Sequence, residues 1–260
     1  MKQEIEEKLA RSLTAETTGL IPFLPYLLQD LWELGSNPGE ITRLLKEHLS
    51  ALQYTKILDL ACGKGAVSIK VANELGVSVY GFDLITEFID YAGQKAKEYA
   101  VESLCHFAVG DINEVVNNES GYDCVIFGAV GNVLGNPQET LEKLMKTIKY
   151  NGFIIIDDAY VPDELANNEV KYKNYEYLTR EQWINLFKKL GLGLVEEAIA
   201  DDDYDFDSDN RAIAMRADEL TVSYPEKQEL FDGYVQSQLN ESDDLTDNIV
   251  GVTWMLQKIQ

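Results

Sequence analysis

Five short apolar runs, at residues 56–60, 77–82, 105–109, 122–127 and 152–157, punctuate the middle of the chain. Helix-like stretches separate them, at about 66–75, 85–100, 112–118 and 137–149. Runs so short and so rich in β-branched residues read as strands buried on both faces, and a helix between consecutive strands imposes a parallel crossover. The pattern predicts an α/β fold, a doubly wound and mostly parallel sheet with helices on either side. At 260 residues the chain suffices for one such domain with a modest cap.

The flanks look different. Residues 1–17 read as a charged amphipathic helix, and 24–34 as a second helix entered through Pro22 and Pro25. After a turn at 35–39, Ile41, Leu44, Leu45 and Leu49 form one apolar face of a third helix. The expected division is a helical cap over residues 1–49 and a sheet domain over 50–260. Within the latter, an acidic loop and helical insertion occupy about 201–245, and residues 249–259 form a last antiparallel strand.

Charge narrows the partners. The chain has 22 basic and 45 acidic side chains, a net charge of −23. Residues 1–150 contribute −8 and residues 151–260 contribute −15. Such a molecule repels phosphate backbones and anionic bilayers, so nucleic acid and membrane surfaces are not expected partners. No stretch approaches a membrane-spanning apolar length, since the most apolar one, 20–34, is broken by Pro22, Pro25 and Asp30. The alternating aspartates at 201–209 invite a calcium reading, which fails in each register. Starting at Asp201, Asp203 or Asp205, the required glycine is Phe206, Ser208 or Asn210, and the closing glutamate is Ala212, Ala214 or Arg216. No metal is expected. Cys62, Cys105 and Cys124 are odd in number and widely spaced, and residues 1–13 carry no apolar signal core. Both features point to a reduced, cytoplasmic protein.

The segment after the first strand carries the chemistry. Asp59 is followed by Leu60, Ala61, Cys62, Gly63, Lys64 and Gly65, then by a helix from about Ala66. Small residues at 61, 63 and 65 let backbone N–H groups approach a ligand at a helix N-terminus. The nicotinamide fingerprint is incomplete, because Ser68 stands at its third glycine. The second strand ends in Asp83, 18 residues beyond Gly65, near the spacing at which a carboxylate meets a ribose diol. Asp83 also suits a helix N-cap, and the two roles are compatible. The third strand ends at Gly110 and Asp111, so three strand ends present acids on one edge.

As a set these residues resemble the class I S-adenosylmethionine-dependent methyltransferases over about residues 50–200. Asp59, Ala61, Cys62, Gly63 and Gly65 are similar to the family's first motif, with alanine for the first glycine. The resemblance implies that Asp83, with Leu84 beside it, binds the ribose, and that Asp111 and Ile112 contact the adenine. Residues 122–130, including Gly128 and Ala129, resemble the fourth-strand motif. Residues 144–156 resemble the following helix and fifth strand, and 177–183 with 190–191 the helix before the sixth. A seven-stranded sheet ordered 3-2-1-4-5-7-6, with strand seven antiparallel, is implied, as is S-adenosyl-L-methionine as donor. The chain departs from the pattern after strand four, where 131–135 is Gly-Asn-Val-Leu-Gly without histidine, and it lacks an Asn-Pro-Pro-Tyr signature.

Methyl transfer from a sulfonium is an in-line displacement that positioning and water exclusion can serve, and a general base is optional. His106, mid-strand, reads as structural and His48 as exposed. The expected acceptor is a small neutral or cationic metabolite held between the cap and the loops after strands four and five. Tyr26, Trp32, Asn132 and Tyr160 are its expected contacts, and residues 32–40 read as a lid or a plain helix connector. Two other readings are a donor-binding subunit without catalysis and a nicotinamide oxidoreductase.

Overall fold

Period-two alternation along the strands sends neighbouring side chains to opposite faces of one sheet. The computed structural model describes residues 3–49, 54–162, 170–171, 175, 177–200 and 204–259. Among them the strands are β1 (Lys56–Leu60), β2 (Ser78–Asp83), β3 (Cys105–Val109), β4 (Tyr122–Gly128), β5 (Ile148–Tyr160), β6 (Leu192–Ile199) and β7 (Val250–Lys258). They form one seven-stranded sheet in the order β3-β2-β1-β4-β5-β7-β6. β1 to β5 run parallel, and β7 pairs antiparallel with both β5 and β6. The expected order and the antiparallel last strand are both present.

The helices are α1 (Gln3–Ser12), α2 (Leu24–Leu27), α3 (Pro38–His48), α4 (Ala66–Leu75), α5 (Thr86–Glu98), α6 (Ile112–Asn118), α7 (Pro137–Thr147), α8 (Arg180–Lys189), α9 (Phe206–Ser223) and α10 (Gln228–Asp247). Leu58, Leu60, Val125, Phe127, Ile154, Ile156 and Trp254 face one way, onto α6, α7 and α8 through Val115, Leu141, Leu144, Trp183 and Phe187. Ile57, Cys124, Ile126, Ile155 and Met255 face the other way, onto α3, α4 and α5. Burial of this apolar surface is the main force holding the three layers together.

The cap differs from the expected 1–49 unit. Ile41, Leu44 and Leu45 of α3 are fully buried in the layer against the sheet, because that apolar stripe meets α4 and β7 rather than its own sequence neighbours. Leu20, Leu24, Leu27 and Leu28 instead pack with Ile213, Leu220, Phe231 and Tyr234 of α9 and α10. The cap is therefore built jointly from the N-terminal residues up to about 31 and from the insertion between β6 and β7. Tyr26 donating to Glu219 at 2.6 Å, and Arg216 donating to Asp30 at 2.6 Å, tie the two parts together. The helix expected over 24–34 is only one turn long, preceded by a 3-10 turn at Thr18–Phe23 that contains Pro22. Asp201, Asp202 and Asp203 of the acidic run lie outside the described residues. Asp205 caps α9 by accepting from the Ser208 N–H at 3.0 Å, a structural use of an aspartate in this run. Among the described residues no helix is long and apolar enough to cross a membrane.

Candidate active site

The carboxyl ends of β1, β2, β3 and β4 meet at the strand-order reversal between β1 and β4, where an open α/β sheet leaves a crevice. Two adjoining clefts lie there, of about 660 and 400 Å³ counting their open mouths, within the range of small-molecule sites. Ala61, Gly63, Leu34 and Gly128 line both.

Asp59 anchors the loop from below. Its side chain is buried and accepts from Ser68 Oγ at 2.5 Å, tying β1 to the first turn of α4. Burial pushes its carboxyl up to about 6, opposed by the Ser68 hydrogen bond and helped by the Asp83 charge. The chain then turns through Ala61 at φ +57° and Gly63 at φ +53°. Cys62 N–H donates to Phe82 O at 3.0 Å and Gly65 N–H to Cys62 O at 2.9 Å, which closes the turn against β2. A Cβ on Gly63 would lie 3.2 Å from Leu34 Cδ1, and one on Gly128 would collide with Ser36 Oγ. Both glycines keep the backbone bare so that Leu34 and Ser36, which line the smaller cleft with them, can close over it.

Asp83 and Asp111 supply the acids. The Gly63 N–H donates to Asp83 Oδ2, and the Ile85 N–H to Oδ1, each at 2.9 Å. A carboxylate has about four acceptor positions, so two stay available for a ligand after these bonds. Burial raises the Asp83 carboxyl above its ordinary range, against the pull of its backbone donors. Asp111 caps α6 through Asn113 N–H at 2.9 Å while lining the larger cleft. Capping and site-lining coincide at Asp111, whereas Asp83 serves the glycine loop rather than the helix end.

The larger cleft brings together Ala61, Gly63, Asp83, Leu84, Asp111, Ile112, Gly128 and Ala129, and the smaller one adds Asp59, Cys62 and Trp32. Cys62 is half-buried, and loss of solvent raises its thiol well above the ordinary range. Gly65 lines neither cleft. A Cβ there would meet Ala92 at 2.8 Å and Phe107 at 2.9 Å, so its φ of +76° and its bareness serve packing against α5 and β3.

Of the expected acceptor contacts, only one reaches a cleft. Trp32 lines the smaller cleft with Nε1 donating to Lys64 O at 3.0 Å. Tyr26 is exposed on the cap, engaged with Glu219 and stacked under Arg216. Asn132 is exposed in the turn 131–134, its carbonyl accepting from Gly135 N–H at 3.1 Å. Tyr160 faces Trp254 at 6.2 Å between ring centroids, on the α8 side of the sheet. The joint cap turns Tyr26 away from the clefts, and strand alternation does the same to Tyr160. His48 is half-buried rather than exposed, with Nε2 2.6 Å from Glu196 Oε2. His106 is exposed beside Tyr80. Neither histidine lines a cleft.

Sequence reasoning missed the residues that cover the larger cleft. Ile5, Leu9 and Leu13 roof it from α1 and the residue after it, and Leu34, Phe88, Val130 and Val133 complete its apolar wall. The spacing 5, 9, 13 is a helical stripe legible in the sequence, but nothing in it says what the stripe faces.

A profile of the methyltransferase domain family matches residues 53–210. The uncharacterized protein YjhP of Escherichia coli is 28% identical over 154 residues, 56% of this chain and 61% of that one. The ubiquinone biosynthesis O-methyltransferase of Rickettsia akari is 34% identical over 117 residues, 45% of this chain and 44% of that one. The matches thus span roughly half of each curated relative. Among solved structures, a SAM-dependent methyltransferase from Thiobacillus denitrificans in complex with S-adenosyl-L-homocysteine superposes with a TM-score of 0.73. It is 20% identical, with 90% of this chain and 97% of that one covered.

Proposed function

From a chain that belongs to the methyltransferase domain family, we propose S-adenosyl-L-methionine-dependent methyl transfer to a small, neutral and largely apolar metabolite beneath α1. The observation that carries this reading is the wall of the larger cleft. Ile5, Leu9, Leu13, Leu34, Val130 and Val133 form the apolar side of a cleft whose acids, Asp83 and Asp111, are assigned to the donor, and whose only cation among the described lining residues is Lys8, 3.3 Å from Glu4. Of the neutral and cationic acceptors expected, this wall favours the neutral kind, because a cation would have to leave water for apolar contacts. The names of relatives such as the Rickettsia enzyme support a small organic acceptor.

The donor's residues follow from the cradle. Asp83 would accept from the ribose hydroxyls, Asp111 and Ile112 would flank the adenine, and bare Gly63 and Gly128 would admit the donor close to the backbone. When bound, the donor supplies an electrophilic methyl on a sulfonium. The chain's own contribution is orientation and exclusion of water by α1 and residues 31–37. With no histidine at either cleft, the acceptor enters as an already competent nucleophile or yields its proton to a carboxylate. The net charge of −23 speaks against nucleic acid as acceptor. The free thiols of Cys62, Cys105 and Cys124 favour a reducing compartment, the cytoplasm.

The test is incubation with methyl-deuterated donor and a metabolite extract, followed by mass spectrometry. A labelled neutral small molecule is the expected product. Preferential labelling of RNA, DNA, protein or a polycation overturns the acceptor assignment.

A further inference from the structure

The wall between the two clefts is neither strand nor helix. It is the crossing segment 31–37, which runs from the cap to the start of α3. Leu34 lies over Gly63, Gly35 at φ +94° sets its backbone against the Ala129 methyl, and Ser36 packs on Gly128. An irregular segment placed so centrally needs fastening, since its backbone has no ladder to join.

It is fastened at both ends by ionisable side chains that the donor site does not use. Lys64, inside the glycine loop, is only 4% exposed. Its ammonium donates to Leu28 O, and to Leu31 O at 2.6 Å, at the frayed end of α2. Trp32 Nε1 returns a bond to Lys64 O, so cap and loop hold each other reciprocally. At the other end Asp157, on β5 beside the Gly128 that Ser36 packs on, is buried near Ser36, Asn37 and Thr253, whose polar groups pull its carboxyl down against the lift of burial. The Asn37 side chain in turn caps α3 through Glu40 N–H at 3.0 Å.

We propose that Lys64 and Asp157 are positioning residues that pin segment 31–37 across the seam of the two clefts, so that donor access depends on both pins. Burial has displaced both groups toward neutrality, Lys64 down to about 8 and Asp157 up to about 7, the mark of charges withdrawn from water for a structural purpose. The link to donor access rests on the proposed function; the pinning does not.

Cys62 is the built-in reporter, because it lines the smaller cleft together with Leu34 and Ser36, while Cys105 and Cys124 are buried elsewhere. Maleimide labelling of each cysteine in the full chain, read by peptide mass spectrometry without donor, tests the pins. Cys62 labelling should rise about fivefold or more in Lys64→Met and in Asp157→Ala, and about twofold in Ser36→Ala, as local opening becomes easier. Cys105 and Cys124 should keep their wild-type rates. Lys64→Arg and Asp157→Asn, which retain a donor and an acceptor, should restore most of the protection. An unchanged Cys62 rate, or a rise shared equally by all three cysteines, overturns the proposal. Ser36→Ala, at a half-exposed turn, decides between these outcomes if the other variants do not fold. A parallel arm adds S-adenosyl-L-homocysteine to the wild type. Failure to protect Cys62 there would count against the donor assignment, whatever the variants show.

Discussion

Asp83 holds the glycine loop and, in the proposed function, the donor ribose, and one substitution removes both. Asp83→Ala removes a ligand acceptor and also the partner of the Gly63 N–H, so S-adenosyl-L-homocysteine should bind more weakly by about 1.5–3 kcal/mol, read by titration calorimetry. Equal binding in variant and wild type would remove the ribose assignment. The two loop glycines, by contrast, divide between ligand and packing. Gly63→Val should abolish donor binding, since its Cβ would crowd Leu34 at a positive φ. Gly65→Ala should lower the melting temperature instead, because Ala92 and Phe107 stand within 2.9 Å of the added methyl. Tyr26→Phe should leave methyl transfer within about twofold, as expected of an exposed side chain remote from both clefts.

At the scale of elements, α1 contributes little to the core, burying only Ala10 fully, yet it roofs the larger cleft. Its hold is peripheral, through packing on the cap and through Thr14 donating to Glu241 Oε2 at 2.5 Å. An element with few buried contacts opens at low free-energy cost. Hydrogen exchange should therefore find α1 far less protected than α4, and S-adenosyl-L-homocysteine should slow exchange in α1 more than in α8. Leu9→Asp, which sets another carboxylate at the wall shared with Asp83 and Asp111, should weaken that ligand about tenfold with little change in melting temperature. An unaltered affinity would mean that α1 does not cover the bound ligand.

For the molecule as a whole, carboxyls displaced by burial set the pH dependence, with Asp83, Glu33 and Glu241 raised among them. Asp59 and Asp158 are pushed up to about 6 and Asp157 to about 7, all above their unfolded range near 3.8. The native state therefore holds more protons than the unfolded chain between about pH 4 and 7, and stability falls as pH rises through that window. The exposed pairs that lower Asp30, Glu196 and Glu219 act in the opposite sense, but solvent screening keeps them small. The melting temperature should be several degrees higher at pH 5.5 than at pH 8, and Asp157→Asn should shrink the difference. A melting temperature that climbs toward pH 8 would contradict the burial of these acids.

What the sequence determined by itself is local: strands by their apolar runs, helices by their period, and the proposed donor cradle by small residues at 61 and 63 with acids at strand ends 83 and 111, which the fold brings to one cleft. These signals survive in one dimension because a strand end, its loop and the next helix start are joined by a few residues. Gly65 stands out in the sequence as ligand-facing yet lines neither cleft, since a bare α-carbon looks the same whether it faces a ligand or Phe107. Tertiary structure decided the rest. Whether α3 joins the cap or the sheet layer depends on α4 and β7, and whether the stripe Ile5, Leu9, Leu13 or Tyr26 meets the cleft depends on α9 and α10. Those helices lie about 200 residues away in the chain, and long-range packing has no sequence spacing to betray it. The same holds for Lys64 and Asp157, ordinary charged residues in the sequence, which become pins only when the fold delivers carbonyls and hydroxyls to them and takes the water away.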